Sequence, residues 1–259
     1  MKGKQFHEIV ADYRHVVCSV VRQRPQPGGH GAKALGTGFF VSRDVFITCD
    51  HVMNNPEDPH QPGDSYLLVA NLTGTSGKMH ILPNPQIGKE INLFPNLDMA
   101  VLRVPNTPQD QPFAPLEYGD VYEGEGIGVV GYPLPVLQVI NGNITFNSVI
   151  YRAARGSVTA RYTTNDNQLQ NVPCIEVNFL FVPGNSGGPV FSAKTGRALG
   201  FVRGYRAVKI RESIATATMI PQLPLGVSNQ YVESLSAVYS VAYKLDFVRA
   251  TLDGFGVTL

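Results

Sequence analysis

"PGNSGGPV", residues Pro183–Val190, decides how the rest of the chain is read. Its glycines and prolines surround one serine between two apolar runs, so side-chain packing is given up to present a single hydroxyl. Glycine at 184, 187 and 188 permits backbone shapes closed to other residues and a close approach by another molecule. It also leaves the N–H groups of Gly184 and Ser186 free to converge on one point, which suits a developing negative oxygen. A serine hydroxyl is a weak nucleophile at neutral pH and needs a base beside it.

Two further patterns supply candidates. "GTGFFVSRDVFITCDHV" (36–52) reads as a Gly-rich strand, a turn and a second strand that deliver His51. "NLDMAVLRV" (96–104) puts Asp98 at the mouth of an apolar strand. An imidazole can take the serine proton near neutral pH and return it to a leaving amine. A carboxylate behind the imidazole fixes its tautomer and stabilises the charged form. The chain order is His, Asp, Ser, which is one of three known orders for such a set. Asp50, next to His51, points the other way along a strand and reads as structural.

Composition narrows the remaining choices. At 43% hydrophobic and 16% charged residues, 259 residues can bury a sizeable core. The net charge of +1 leaves no electrostatic footprint for nucleic acid or an anionic membrane. The first residues show no long apolar core and no small-residue cleavage pattern, so no secretory signal is expected, and no run reaches the length of a membrane span. Cys18, Cys49 and Cys174 lie far apart and read as buried reduced thiols, which points to a cytoplasmic protein. The histidines outside the set, His7, His15, His30, His60 and His80, show no ligand spacing, so no metal is expected. "GEGIGVVGYP" (124–133) has no helix after its glycines, and no cofactor is expected.

The organisation is all-β. Phe6, Ile9, Val10 and Tyr13 make a short N-terminal helix over 5–13. Short β-type runs follow at 15–22, 35–42, 45–49, 65–71, 99–104, 126–131, 144–151, 156–162, 173–181, 188–192, 198–206 and 237–243. "PNTPQDQPFAPL" (105–116) is the best linker between two halves. Leu245, Val248 and Leu252 recur at helical spacing, with Asp246 in the first turn and Gly254 at the end.

With these blocks in hand, the chain resembles the trypsin-like, chymotrypsin-fold serine peptidases, in particular the HtrA-like branch. "GTGFFVS…FITCDHV", "LDMAVLRV", "GNSGGPV" and the closing "YSVAYKLDFVRATLDGFG" carry the resemblance from about Val16 to Gly256. It implies two six-stranded antiparallel β-barrels with a short N-terminal helix and a C-terminal helix. The domains become a lead-in (1–14), a first barrel with His51 and Asp98 (15–115), and a second barrel with Ser186 (116–259). It also implies a protein or peptide substrate, an acyl-enzyme route and an oxyanion hole from Gly184 and Ser186.

The chain departs from the family at three points. No PDZ-like module falls within these residues. Leu180 stands where trypsin-like enzymes carry the acidic base of the specificity pocket. With Phe181, Val202 and Arg203 completing the pocket candidates, cleavage after basic residues is not expected, and a small or medium apolar side chain fits better. The segment 210–235 is longer than the family's connection there and reads as an inserted lid or partner-binding loop. That insertion keeps a second hypothesis open, an inactive or partner-gated binding module on the same barrels.

Overall fold

The β-branched and aromatic runs form antiparallel strands in the computed structural model, which describes residues 4–70, 78–133, 136–140, 143–148, 150–165, 170–213 and 231–257. The first sheet contains β1 (Val17–Gln26), β2 (Gly29–Phe40), β3 (Val45–Thr48), β4 (Ser65–Ala70), β5 (Lys78–Leu82), β6 (Ile91–Phe94) and β7 (Met99–Arg103). Their spatial order is β5-β4-β1-β2-β3-β7-β6. All of β3 and the first six residues of β1 are buried. Such strands are covered on both faces, which explains their unbroken apolar runs.

The second half begins at β8 (Gly126–Gly131), followed by the hairpin β9 (Val136–Ile140) and β10 (Asn143–Ser148). Then come β11 (Arg152–Asn165), β12 (Gln170–Val177), β13 (Pro189–Ser192), β14 (Ala198–Ser213) and β15 (Tyr231–Lys244). Six of these close into a barrel in the order β11-β12-β15-β14-β13-β8. Strand alternation divides its apolar residues between two cores. Ile127, Val129, Ile175, Val190, Val202 and Ala242 belong to one buried cluster of this half. Their neighbours Val130, Cys174, Phe191, Phe201, Val241 and Tyr243 belong to the cluster shared with the first sheet. A period of two thus builds a barrel core and a seam from the same strands.

The fold is all-β as the sequence implies. The second half is a closed six-stranded barrel, and the first is a curled seven-stranded sheet whose edge strands β5 and β6 do not pair with each other among the described residues. The short helix α1 (Phe6–Tyr13) lies where the periodicity puts it. It docks through Tyr13, whose ring stacks on Phe191 at 4.8 Å and whose hydroxyl donates to Gly196 O at 3.1 Å. The 105–116 segment is pinned to both halves: Ala114 N donates to Phe40 O, and Ala198 N to Pro115 O, each at 2.8 Å. At the C-terminus a 3-10 turn (Leu245–Val248) leads into a short helix, Arg249–Gly254.

The proposed loop over 210–235 is corrected in part. Residues up to Ser213 and from Tyr231 are strand, paired from Ser213↔Tyr231 to Lys209↔Leu235; 214–230 lies outside the described residues.

A charged cluster ties the chain between β3 and β4 to the first sheet. Arg24 bonds Asp58 at 2.9 Å and Asp64 at 2.7 Å, Arg22 also pairs with Asp58, and Lys33 reaches Asp58 at 2.8 Å. Lys33 and Arg22, hydrogen-bonded to Asp58, hold its carboxyl below the usual range. Burial pushes Asp64 up, but bonds from Arg24 and the Gln61 N–H outweigh it, so Asp64 also sits low. A depressed carboxylate contributes stability above its unfolded value and loses it in acid. The urea midpoint is therefore expected to fall as pH drops below about 4. Asp58→Asn should lower the midpoint at neutral pH and flatten that acid decline.

Candidate active site

His51 is carried by a short helical turn, α2 (Asp50–Met53), entered directly from β3 through Cys49. Asp50 is consequently on a helical turn and not on a strand. Asp98 follows a 3-10 turn, Pro95–Leu97, and has φ 44° and ψ 44°. Aspartate tolerates this left-handed conformation better than most residues. Here it turns the carboxylate toward α2. His51 Nδ1 lies 2.9 Å from Asp98 Oδ1 and 3.0 Å from Oδ2, and the His51 backbone N–H donates to Oδ1 at 3.2 Å. Two carboxylate oxygens at this range assign the ring proton to Nδ1, leaving Nε2 as an acceptor. The imidazole side chain is 43% exposed and the carboxylate only 13%, so a ligand can reach the ring but not the acid behind it.

Ser186 sits in a turn held from both halves. Asn185 N donates to Val182 O at 3.1 Å, and Gly184 within that turn has φ +93°. Pro183 and Gly184 at the two central positions fit a type II turn. Thr37 of β2 clamps it: its N–H donates to Ser186 O at 2.9 Å and its Oγ1 to Gly184 O at 2.6 Å. Gly187 N donates to Val202 O at 2.7 Å, the same carbonyl that accepts from Cys49 Sγ at 3.2 Å. The N–H groups of Gly184 and Ser186 donate to no described residue.

The serine hydroxyl donates to Arg203 O at 3.1 Å and is not hydrogen-bonded to His51. The two groups nevertheless share one seam. The Arg203 guanidinium lies 5.6 Å from the centre of the Tyr243 ring, and Tyr243 OH donates to Asp98 Oδ2 at 3.3 Å. Catalytic hydrogen bonds are often unformed without substrate and tighten when it binds. Thr37 and Tyr243 were missed in the sequence although both lie inside quoted blocks. Their roles arise from contacts between distant segments, which no local pattern encodes.

The four pocket candidates separate by burial. Phe181 and Val202 are 2% and 0% exposed and packed in the barrel core, so neither offers a substrate any surface. Leu180 is 59% exposed and, with Val129, Pro133, Arg152, Val182 and Asn185, lines a cavity of about 170 Å³. Arg203 remains partly accessible beside Ser186.

Asp50 differs from its neighbour Asp98. Its Oδ1 is buried with no hydrogen-bond partner among the described residues, and its carboxyl is pushed up to about 6 by burial and then by Asp98, against the pull of His51. A raised carboxyl costs stability as pH climbs from its unfolded value to its folded one. Asp50→Asn is therefore expected to stabilise the fold at pH 7 by on the order of 1 kcal/mol, allowing for solvent screening at a half-exposed site. The gain should vanish below about pH 4, as urea titrations at the two pH values would report.

Cys49 Sγ lies within 4.8 Å of the His51 and Asp98 ligand atoms, so these three could hold a metal ion. Each already has a hydrogen-bond partner that accounts for its position.

Residues 36–201 match the profile described as a trypsin-like peptidase domain. The chain belongs to that family. Among curated relatives of this trypsin-like domain, putative protease Do-like 13 of Arabidopsis thaliana is 28% identical over 67% of this chain and 29% of its own length. A probable periplasmic serine endoprotease, DegP-like, of Brucella suis is 27% identical over 82% of this chain and 35% of its own. The chain therefore spans about a third of the length of these relatives. Among solved structures, the HtrA-type protease AlgW with a decapeptide aligns with a TM-score of 0.60 at 15% identity, covering 97% of this chain and 67% of that one. Rv3671c from M. tuberculosis H37Rv, in an inactive form, aligns at 0.52 and 18% identity over 96% of this chain and 91% of its own. At those identities the likeness is one of fold.

The relatives correct the expectation of a cytoplasmic protein, since several are named periplasmic endoproteases. The physical reason is plain. Cys18, Cys49 and Cys174 are free and buried, and thiols shielded from one another and from solvent carry no information about the redox state outside.

Proposed function

We propose that this trypsin-like domain is a serine endopeptidase working through Ser186, His51 and Asp98. The observation that carries the reading is the exposed imidazole backed by a shielded carboxylate, in the same seam as a glycine-held serine with two N–H groups unengaged among the described residues. Ser186 Oγ attacks the scissile carbonyl carbon while His51 Nε2 takes its proton. The carbonyl oxygen becomes negative and is held by the N–H groups of Gly184 and Ser186. Collapse of this intermediate breaks the C–N bond, and the imidazolium returns its proton to the departing amine. Water then repeats the sequence on the acyl-enzyme, releasing the acid and restoring the serine. Asp98 keeps the ring proton on Nδ1 throughout. The base role requires the imidazole to be neutral when it takes the serine proton, and a rate indifferent to pH would contradict it.

Exposed Leu180 beside the oxyanion turn favours an apolar side chain at the cleaved position. The peptides bound to the HtrA-type neighbour support a peptide substrate. One observation favours a second reading, a gated or inactive binding module: the Ser186 hydroxyl is engaged by Arg203 O and not by His51. A fluorophosphonate probe separates the two. Rapid labelling of the wild type at Ser186 is expected, and failure to label with or without peptide would favour the gated reading. Peptide-library digestion read by mass spectrometry would then report the cleavage preference.

A further inference from the structure

The last barrel strand carries a tyrosine that the proposed mechanism does not use. Tyr243, on β15, is 1% exposed. Its ring meets Phe201 edge to face at 5.4 Å, and the Arg203 guanidinium lies over it. Its hydroxyl leaves this apolar setting at one point, to donate to Asp98 Oδ2 at 3.3 Å. Asp98 belongs to the opposite half of the molecule, so the bond crosses the seam between sheet and barrel. A phenol that is buried so completely normally finds a partner for its O–H. Here the partner is the carboxylate that orients the base.

We propose that Tyr243 is a positioning residue of the peptidase site, locking the Asp98 carboxylate and through it the His51 ring. The proposal rests on the reading of His51 as general base. A carboxylate turns broadly about its terminal torsion. The His51 backbone N–H holds Oδ1 at 3.2 Å, which anchors one oxygen. Tyr243 anchors the other, and with both held the carboxylate plane, and hence the imidazole plane, is fixed. Burial and then the Asp98 charge push the phenol well above its ordinary value, so it remains a donor at any working pH.

The same bond tunes charge. A donor on Oδ2 draws negative charge away from the edge facing the imidazole, so the protonated ring is stabilised less than by a bare carboxylate. The groups facing the pair are Cys49 and Asp50 from the first half and Arg203 and Tyr243 from the barrel. Tyr243→Phe changes only one of them and keeps the ring contacts.

The test uses the whole purified chain, with peptide turnover and fluorophosphonate labelling followed across pH. Tyr243→Phe is expected to lower kcat about tenfold, as for loss of a hydrogen bond to a charged group, with KM within about twofold. Its acid limb should move to higher pH, because the unshared carboxylate charge holds the ring proton more tightly. In an Asp98→Ala background the same substitution should cost less than about twofold, since its target is gone. Equal losses in both backgrounds, or an unshifted limb, would assign Tyr243 to packing and overturn the proposal. Should Tyr243→Phe fail to fold, fluorotyrosine placed at 243 keeps the shape and strengthens the donor. It should move the limb to lower pH, and an unmoved limb would be equally fatal. If Ser186→Ala and Asp98→Ala retain full turnover, the reading of the site falls. If both collapse while Tyr243→Phe behaves as wild type, only the role of Tyr243 falls.

Discussion

Ser186→Ala is expected to lower kcat by about five orders of magnitude while leaving the protein folded. Both halves of that expectation come from the contacts of one residue. Among the described residues the side chain makes a single hydrogen bond, to Arg203 O, and it is only partly buried. Losing it costs about 1 kcal/mol, a small part of the stability of a domain this size. The structural work of Ser186 is done by its backbone: its carbonyl accepts from Thr37 N, which alanine preserves. Chemistry has no such fallback. On the proposed mechanism no acyl-enzyme forms without Oγ, and what remains is the oxyanion donors acting on a water, a residual far below the full rate. Steady-state turnover on a peptide and a thermal melt of the same preparation test the two halves together. Appreciable turnover from the folded variant would remove Ser186 from the mechanism.

What the sequence made legible follows from where each signal resides. The blocks around His51, Asp98 and Ser186 are local, because each residue must be presented by a particular turn. Turns are written in neighbouring glycines, prolines and apolar flanks. The barrel strands were legible for a similar reason: residues such as Val129 and Val130 alternate between two apolar environments and produce conspicuous runs. The strands that escaped notice are short or peripheral. β6 has four residues of which only Ile91 is buried, and β5 exposes Met79 and Ile81 at the sheet edge. An edge strand with one covered side lacks the apolar run that marks a central one.

The pocket candidates fared worse because a position counted from the serine says nothing about which way a side chain points. Phe181 turns into the barrel, where its N–H also donates to Ser240 Oγ at 2.7 Å, while adjacent Leu180 turns out. Tyr243 was hidden by distance along the chain, since its hydroxyl meets a carboxylate 145 residues away.

Gly187→Ala should be the most damaging single-methyl change to the fold near the site, and its argument is steric. Gly187 has φ +85°, a left-handed conformation that costs an L-residue about 1–2 kcal/mol by itself. A Cβ there would overlap the Thr37 carbonyl oxygen and Thr48 Oγ1 and lie 3.0 Å from Cys49 N. Those atoms cannot swing aside. Thr48 Oγ1 donates to Thr37 O at 2.7 Å, and both belong to the paired strands that lead to His51. The turn itself would have to retreat, breaking Gly187 N to Val202 O and Thr37 N to Ser186 O, which join the Ser186 turn to the barrel and to the first sheet. A total loss of roughly 4 kcal/mol is expected, with fluorophosphonate labelling abolished even where the chain stays folded. Gly124→Ala provides the control, because φ is +87° there but nothing lies within 4 Å of the added carbon. It should show the backbone cost alone and label at the wild-type rate. Similar urea midpoints for the two variants would mean that the turn is not wedged against the sheet, and that Ser186 is held in place by some other contact.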